Sequence, residues 1–409
     1  MAVYGIIAEY NPFHNGHLYQ LNKIREFDND AKIIVVMSGS FTQRGSLAIL
    51  DKWQRAESAV KNGVDLVIEL PAVFALRSAQ FFAEGAIRLL SDLQIVDQLV
   101  FGIEADNLSD LEAVVDLQAS PEFDSQLQSN LSAGFPYAAA VSQALLSFDS
   151  QTSADIIKEP NNILAIEYLK ALRHFHSSIK PFAVKRVGVQ HNDITINGSF
   201  ASASAIRSAL SAGDFSKVQS VVPSDVFEVL RQRSKTADIP SIDNLYRSLL
   251  TSIYNLTATE LQSIYGINEG LENAVLEAAR NCQSISGLTE KISCRRYPLS
   301  RIRRLIDYIL LGWHKDAIDN FTRIGPQYIR ILAFNKTGQD LLHSIKQNSS
   351  LPLITKVSNH LNSKQIFSQP LNDLQMMLAF DVKATDVYNL AFSSIKNAGN
   401  DLLISPRVI

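Results

Sequence analysis

Apolar runs of strand length alternate with helical patterns along the first half of the chain. The runs VYGIIAE, KIIVVMS, VDLVIELP and IVDQLVFGIE are each followed by apolar residues at helical spacing, which predict helices from about Gly16, Asp51, Ala79 and Leu108. A further strand, PFAVKRVG, begins at Pro181. Strands that alternate with helices pair in parallel through right-handed crossovers. The pattern therefore predicts a doubly wound α/β domain with a parallel sheet covered on both faces.

The chain is too long for one ordinary core. It has 409 residues, and single cores stop growing at roughly 250 to 300 residues. The stretch SKTADIPSIDN has the polar, proline-containing composition of a linker. We therefore predict a first domain over 1–232 and a second over 233–409. The second is mainly helical, with two strand-like runs, YIRILAFN and LPLITKVS, separated by a helix.

Composition narrows the class of protein without identifying it. Hydrophobic residues make up 46% of the chain and charged residues 19%, and no stretch is apolar enough to cross a bilayer. The start, MAVYGIIAEYNPF, has no signal-peptide pattern, so a soluble cytoplasmic protein with no membrane partner is expected. The two cysteines, Cys282 and Cys294, lack the spacing of a redox or zinc site, and no metal-ligand cluster is evident.

The loop EYNPFHNGH follows the first predicted strand, where open parallel sheets bind ligands. His14 and His17 are three residues apart, so the start of a helix places both imidazoles on one side. Beside Gly16, where a ligand can approach closely, they can donate hydrogen bonds to a phosphoryl group, assisted by backbone amides. A purely structural role, with each histidine satisfied in a turn, remains the alternative.

The segment HNGH resembles the HxGH signature of the nucleotidyltransferase superfamily. The blocks GIIAEYNPFHNGHLYQL, MSGSFTQRG, DKWQRAE, FFAEGAIRLL, FGIEAD, PNNILAIEYLKAL and FASASAIR, together with CRRYPLSRIRR further on, are similar in order and spacing to those of the bacterial tRNA(Met) cytidine acetate ligase family. The resemblance implies a Rossmann-like nucleotidyltransferase domain. It also implies an enzyme that uses ATP and acetate, through acetyl-adenylate, to acetylate the wobble cytidine of elongator tRNA(Met).

The resemblance also implies the nucleotide contacts. Catalysis is assigned to His14 and His17, and the predicted ATP-binding residues are Ile7, Ala8, Glu9, Tyr10, Asn11, Pro12, Phe13, His14, Asn15, Gly16, His17, Leu18, Tyr19, Gln20, Gly102, Asn161, Asn162, Arg186, Ser202 and Ser204. Gly102 is expected to admit the adenosine. Ser202, Ser204 and Arg207 resemble a second signature of the superfamily, which holds the outer phosphates. The alternative for these residues is an ordinary helix cap with a solvated arginine. Any Mg²⁺ is expected to arrive with the ATP phosphates.

The loop MSGSFTQRG supplies a candidate carboxylate site. The guanidinium group of Arg44 can bind the carboxylate of acetate, and Arg44 is the third predicted catalytic residue. Phe41 is predicted to line one side of a small pocket for the acetate methyl group. A surface arginine in a glycine loop is the alternative for Arg44. Asp51, Lys52 and Arg55 begin the next helix, and they are interpreted as either functional or merely its cap and its exposed charges.

Basic residues cluster in the run KISCRRYPLSRIRR. The predicted tRNA-binding residues are Arg295, Arg296, Arg301, Arg303 and Arg304, because phosphate backbones attract such clusters. A solvated helix face is the alternative. Two other functions also remain open for the whole chain: a small-molecule adenylyltransferase of cofactor biosynthesis, and a non-catalytic RNA-binding protein on a nucleotide-binding fold.

Overall fold

The fold is built on one twisted sheet. The computed structural model describes residues 1–148, 151–186, 196, 198–236, 238–367 and 370–409. Within these ranges the strands are β1 (Val3–Ala8), β2 (Lys32–Ser38), β3 (Leu66–Leu70), β4 (Gln98–Ile103), β5 (Lys180–Lys185), β6 (Ile329–Phe334), β7 (Leu353–Ile354) and β8 (Arg407–Val408). Their order is β5-β4-β1-β2-β3-β6-β7, with β8 also paired to β6. The strands β1 to β5 are parallel, which confirms the predicted fold class.

Helices of the first part connect these parallel strands. They are α1 (Asn15–Phe27), α2 (Lys52–Lys61), α3 (Ala72–Ala75), α4 (Ala79–Asp92), α5 (Leu108–Gln118), α6 (Pro121–Ser132), α7 (Tyr137–Leu146), α8 (Gln151–Ile156), α9 (Pro160–His174), α10 (Ala203–Ser211), α11 (Phe215–Val221) and α12 (Ser224–Lys235). The predicted helix starts at Gly16, Asp51, Ala79 and Leu108 each fall within one residue of an observed start.

The C-terminal part is mainly helical, as predicted. Its α-helices are α13 (Tyr246–Tyr254), α14 (Ala258–Ser263), α15 (Leu271–Asn281), α16 (Ile285–Ile292), α17 (Leu299–Leu311), α18 (Lys315–Ile324), α19 (Lys336–Asn348), α20 (Asp373–Asn389) and α21 (Asn400–Leu403). Short 3₁₀ turns lie at Ile242–Leu245, Val357–Asn359 and Gln365–Phe367. No helix in the described ranges has the length and apolar character needed to cross a lipid bilayer.

Both faces of the sheet are buried because alternate side chains of each strand point to opposite sides. On β2, Ile34 and Val36 pack with α3, α4, α9 and the C-terminal helices, whereas Ile33 and Val35 pack with α1, α2 and α10 to α12. The C-terminal part therefore completes the layer that covers one face of the sheet.

Strand β6 extends the same sheet by pairing antiparallel to β3. The two strand-like runs predicted in the C-terminal part are thus confirmed as strands, and they belong to the first sheet. Gln232, the last residue of the predicted first domain, lies within α12. A division into domains at this point stays a prediction.

A buried ionic cluster fastens the C-terminal segment to the sheet. Lys52 on α2 is 2.7 Å from Glu69 on β3 and 2.7 Å from Asp401 on α21. Arg330 on β6 pairs with both carboxylates. All four side chains are at most 3% exposed. The low dielectric strengthens each of these pairs, and removing one partner would leave a buried charge uncompensated.

Candidate active site

A cleft opens where the carboxyl ends of β1, β4 and β5 meet the N-terminus of α1. The strand order changes direction between β1 and β4, which is where open parallel sheets bind ligands. The cleft is lined by His14, Gly16, His17, Tyr19, Gln20, Gly102, Val184, Lys185, Arg186, Phe200 and Ala201.

His14 and His17 form a reciprocal cap at the start of α1. The Nδ1 atom of His14 accepts the backbone N–H of Gly16 at 3.1 Å, and Nδ1 of His17 accepts the backbone N–H of His14 at 3.2 Å. The two rings stack with their centroids 3.7 Å apart. The structure therefore brings the imidazoles together, as their spacing predicts.

The hydrogen-bond pattern assigns the protonation state of both rings. Because each Nδ1 accepts a hydrogen bond, the proton of each neutral imidazole lies on Nε2. Burial, followed by the charge of Arg186, lowers the pKa of His14 to about 3. Burial, followed by the charge of His14, lowers the pKa of His17 well below its usual value. Near neutral pH both rings are thus uncharged and carry an Nε2–H donor.

Two backbone amides of this turn are already engaged. The N–H of Gly16 donates to His14 Nδ1, and the N–H of His17 donates to the carbonyl oxygen of His14 at 2.8 Å. These two groups are therefore not free to assist the histidines, and assistance by another amide of the turn stays a prediction. The imidazole Nε2–H groups are donors that the capping contacts leave available.

The opposite side of the cleft is formed by Arg186, just after β5. Its side chain lies over Gly102, where a Cβ atom would be only 3.2 Å from Arg186 Cγ. Its Nε atom is 4.0 Å from Oε1 of Glu104. The missing side chain at Gly102 therefore makes room for the arginine, an effect not foreseen from the sequence. Contact of Gly102 with adenosine stays a prediction.

Asn161 and Asn162 hold the loop that follows β4. The side chain of Asn162, 1% exposed, accepts the backbone N–H groups of Glu104 and Ala105 at 2.9 and 3.1 Å. Glu104 in turn accepts the backbone N–H groups of both asparagines, each at 3.1 Å. These contacts position the cleft wall, and direct binding of ATP by either asparagine stays a prediction.

The predicted second signature forms the N-terminus of α10. Ser202 is the cap residue, with its hydroxyl accepting the N–H of Ala205 at 3.1 Å and lying 2.9 Å from the hydroxyl of Ser204. Arg207, one turn further, donates to the carbonyl oxygen of Asn11 at 2.7 Å. The capping interpretation is therefore observed for Ser202, and phosphate binding by the serines stays a prediction.

The remaining predicted residues of the loop 7–20 mostly support the histidines. Tyr10 and Phe13 are buried and pack their rings 4.7 and 5.5 Å from the ring of His17. The side chain of Asn11 accepts the N–H of Ile49 at 2.7 Å. The side chain of Asn15 donates to the carbonyl oxygen of Ser199 at 3.0 Å.

Four cleft residues were not predicted from the sequence: Val184, Lys185, Phe200 and Ala201. The first two end β5, so the rule that ligands lie beyond the carboxyl ends of parallel strands could have identified them. The other two precede α10, and only the folding of that segment against α1 brings them to the cleft.

Arg55 fixes the carboxyl ends of the two central strands. Its guanidinium donates to the backbone oxygens of Glu9 at 2.5 Å, Ser38 at 3.1 Å and Gly39, and its Nε donates to that of Leu50 at 3.1 Å. Arg55 and Lys52 are each 1% exposed. Interpreting them as exposed charges on α2 is therefore wrong.

The structure does not favour the carboxylate pocket predicted in the loop after β2. Phe41 is 2% exposed and packs in the core, and neither it nor Arg44 lines the cleft. Arg44 is exposed, and within the described ranges no hydrogen bond or ion pair holds its side chain. A role for Arg44 in holding acetate stays a prediction that the position of the residue does not favour.

The basic run lies at the start of α17 and in the turn before it. Arg296 pairs with Glu269 at 2.8 Å, Arg301 donates to Asn268 at 2.9 Å, and Arg304 donates to the backbone oxygen of Gln43 at 3.1 Å. Arg295 and Arg303 are exposed. The contact of Arg304 places this run beside the loop after β2.

Comparison with known proteins agrees with this geometry over the whole chain. Residues 1–401 match the model of the HIGH Nucleotidyl Transferase family. The tRNA(Met) cytidine acetate ligase of Halothermothrix orenii is 38% identical over 418 residues, covering 99% of each chain, and that of a Thermoanaerobacter species is 38% identical over 407 residues, covering 98% of each. A crystal structure of Thermotoga maritima TmcAL bound with alpha-thio ATP superposes with a TM-score of 0.90 at 32% identity, covering 100% of both chains.

Proposed function

The chain belongs to the HIGH nucleotidyltransferase family and, within it, to the tRNA(Met) cytidine acetate ligases, and we propose that it activates acetate with ATP and acetylates the N4 amine of the wobble cytidine of elongator tRNA(Met). The observation that supports this chemistry best is the pair of neutral imidazoles at the start of α1. Their Nε2–H groups are hydrogen-bond donors held rigidly in a cleft at the switch point of the sheet.

In the first step an acetate oxygen attacks the α-phosphorus of ATP, pyrophosphate leaves, and acetyl-adenylate forms. Negative charge builds up on the phosphoryl oxygens in the transition state, so fixed donors stabilise it without having to reorganise. We assign this role to His14 and His17. Arg186 supplies positive charge on the facing wall, where its side chain lies over Gly102.

In the second step the exocyclic amine of cytidine attacks the carbonyl carbon of the mixed anhydride. The C–N bond forms, AMP leaves with the electron pair of the broken bond, and the nitrogen loses a proton. The amine is a weak nucleophile because its lone pair is delocalised into the ring. A high-energy acyl donor bound in a site that also admits RNA meets this requirement.

The reaction is tested by omitting ATP, acetate and tRNA in turn. Pyrophosphate should be released with ATP and acetate, and acetylated cytidine, measured by mass spectrometry of the digested tRNA, should form only with all three. Release of pyrophosphate that needs a phosphorylated cofactor precursor instead would identify a small-molecule adenylyltransferase. RNA binding without any pyrophosphate release would identify a non-catalytic protein.

A further inference from the structure

The loop 39–47, which follows β2, lies between the histidine loop and α17. Gln43 joins these parts by three hydrogen bonds: its backbone N–H donates to Glu9 Oε1 at 2.6 Å, its side chain donates to the carbonyl oxygen of Arg77 at 3.0 Å, and its own carbonyl oxygen accepts from Arg304 at 3.1 Å. The next residue is Arg44. These hydrogen bonds therefore fix the position of the backbone from which the exposed side chain of Arg44 projects.

Gly45 brings this loop into direct contact with α17. It has a φ angle of +69°, and a Cβ atom there would be 2.5 Å from the backbone nitrogen of Arg304 and 2.8 Å from Cβ of Arg303. No side chain fits at this distance, and L residues rarely adopt this φ angle. The glycine thus sets Arg44 close to Arg303.

A third arginine completes the group. Arg207 on α10 is anchored by its 2.7 Å hydrogen bond to the carbonyl oxygen of Asn11. Burial lowers its pKa, the carboxylate of Glu9 counteracts this, and the charges of Arg44 and Arg303 lower the pKa further. The carboxylate of Glu9 thus acts on both Arg207 and Arg44, and the loop that carries Arg44 lies against α17 at Arg303.

Arg44 and Arg303, like Arg295, have exposed side chains, and the carboxylates of Glu9 and Asp307 act on Arg44 and Arg303 respectively from beyond ion-pair distance. Within the described residues neither side chain makes a hydrogen bond or ion pair, whereas Arg296, Arg301 and Arg304 all do. Like charges that converge on a surface repel one another, and a bound anion between them relieves this repulsion. Guanidinium forks match the geometry of phosphate oxygens, which they bind in bidentate fashion.

We propose that Arg44, Arg207 and Arg303 form a binding site for a backbone phosphate of the acceptor RNA, beside the nucleotide cleft. This proposal rests on the proposed function. Arg207 links the two sites, since its charge acts on His14 as well as on Arg44 and Arg303. Arg44 and Arg303 themselves lie outside the lining of the cleft, which favours an RNA phosphate over the phosphates of ATP. A phosphate held there directs the attached nucleoside towards the activated acetate.

The first test removes one charge at a time in the full-length protein. Arg44→Gln and Arg303→Gln are compared with Arg231→Gln, which removes an exposed arginine of α12 that pairs with Glu228. Filter binding of unmodified elongator tRNA(Met) is measured at several salt concentrations, and acetate-dependent pyrophosphate release is measured without tRNA. Each site variant should weaken tRNA binding about tenfold and reduce the salt slope by roughly 1, while the control changes neither. Pyrophosphate release by Arg303→Gln should stay within about twofold of wild type.

A second test keeps every charge. Gly45→Ala should push the loop away from α17 and weaken tRNA binding as much as Arg44→Gln does, while Arg303→Lys should retain part of the affinity because a point charge lacks the bidentate fork. Unchanged tRNA affinity in both glutamine variants would overturn the proposal. A raised KM for ATP or acetate with unchanged tRNA affinity would also overturn it, assigning the arginines to those substrates. Wild-type protein that releases no pyrophosphate with ATP and acetate would instead reject the proposed function itself.

Discussion

Gly16 lies directly against the ring of His14: a Cβ atom on the glycine would be 2.9 Å from Cε1 and 3.0 Å from Nδ1 of the imidazole. The ring is held on its other side by the stacked imidazole of His17. It therefore cannot move aside without disturbing both donors. The absence of a side chain at Gly16 is thus a condition for the geometry of the catalytic pair.

We expect Gly16→Ala to lower kcat/KM for ATP by tenfold or more, roughly the cost of misplacing one catalytic donor. Stability should stay within about 1 kcal/mol of wild type, because the roughly 0.5–1 kcal/mol by which Ala favours a helix over Gly offsets much of the cost of a displaced cap. Activity is measured by acetate-dependent pyrophosphate release and stability by urea unfolding. The matched control is Gly287→Ala in α16. A Cβ atom added there would likewise be 3.1 Å from a capping group, the hydroxyl oxygen of Ser284. Equal losses of activity in the two variants would contradict the prediction.

Removing the outer nitrogen of His17 should separate its catalytic from its capping role. In His17→Asn the side-chain oxygen can still accept the N–H of His14, but the Nε2–H donor is lost. We expect the variant to unfold at a urea concentration close to that of wild type and to acetylate tRNA at least about tenfold more slowly. His17→Ala should be as slow and less stable. An asparagine variant with normal activity would remove His17 from the mechanism.

Activity should be insensitive to protonation of the two histidines at ordinary pH. Burial lowers the pKa of His14 to about 3 and also lowers that of His17, so both stay neutral as the pH falls through the usual histidine range near 6.5. We therefore expect kcat/KM for ATP, which reports the free enzyme, to show no acidic limb near pH 6.5. An acidic limb in that range that disappears in His17→Asn would show that the ring titrates there.

Stability should depend on pH through Asp381. Burial, followed by the charge of Glu69, raises the pKa of this carboxyl group to about 7, while an unfolded aspartate titrates near 3.9. As the pH rises from about 4 to 7, the unfolded chain releases a proton that the folded protein retains. The free energy of unfolding therefore falls across this window on account of this group.

Asp381→Asn should abolish that decline. The asparagine can accept the N–H of Ala72 through its oxygen and donate to the hydroxyl of Tyr328, as a neutral acid would; the wild-type contacts are 2.7 and 2.5 Å long. Urea unfolding at pH 5 and pH 8 should show the variant gaining stability relative to wild type at the higher pH. Asp340→Asn, on the exposed side of α19, is the control. A stability difference between Asp381→Asn and wild type that is the same at pH 5 and pH 8 would contradict the raised pKa of Asp381.

The parallel part of the fold could be predicted because its cause is local. Strands such as KIIVVMS are apolar on both faces, and the helices between them repeat apolar residues at helical spacing. The position of His14 and His17 followed from the same reasoning, since the first loop of such a sheet opens at its ligand-binding edge. The family resemblance of the blocks agrees with the later comparisons over the full chain.

The environment of polar residues was harder to predict, because a charged side chain can be either exposed to solvent or buried beside a partner. Lys52 and Arg55 look like exposed charges on a helix, but Glu69, Asp401 and several carbonyl oxygens surround them. Phe41 looks like one side of a pocket in a glycine loop, yet it is 2% exposed and belongs to a core that also contains residues of the C-terminal helices. In each case the deciding partner lies on an element distant in sequence.

The parallel strands, the helix starts and the turn that pairs two imidazoles could be predicted, because they depend on side-chain spacing within a few residues. The pairing of β6 with β3 and the contact of Gly45 with α17 depend on packing between segments that are distant in sequence. Only the folded chain brought the loop that carries Arg44 against α17 at Arg303. The periodicity of buried positions depends on residues close together in one strand or helix. The partner of a charged side chain depends instead on which distant segments pack against each other.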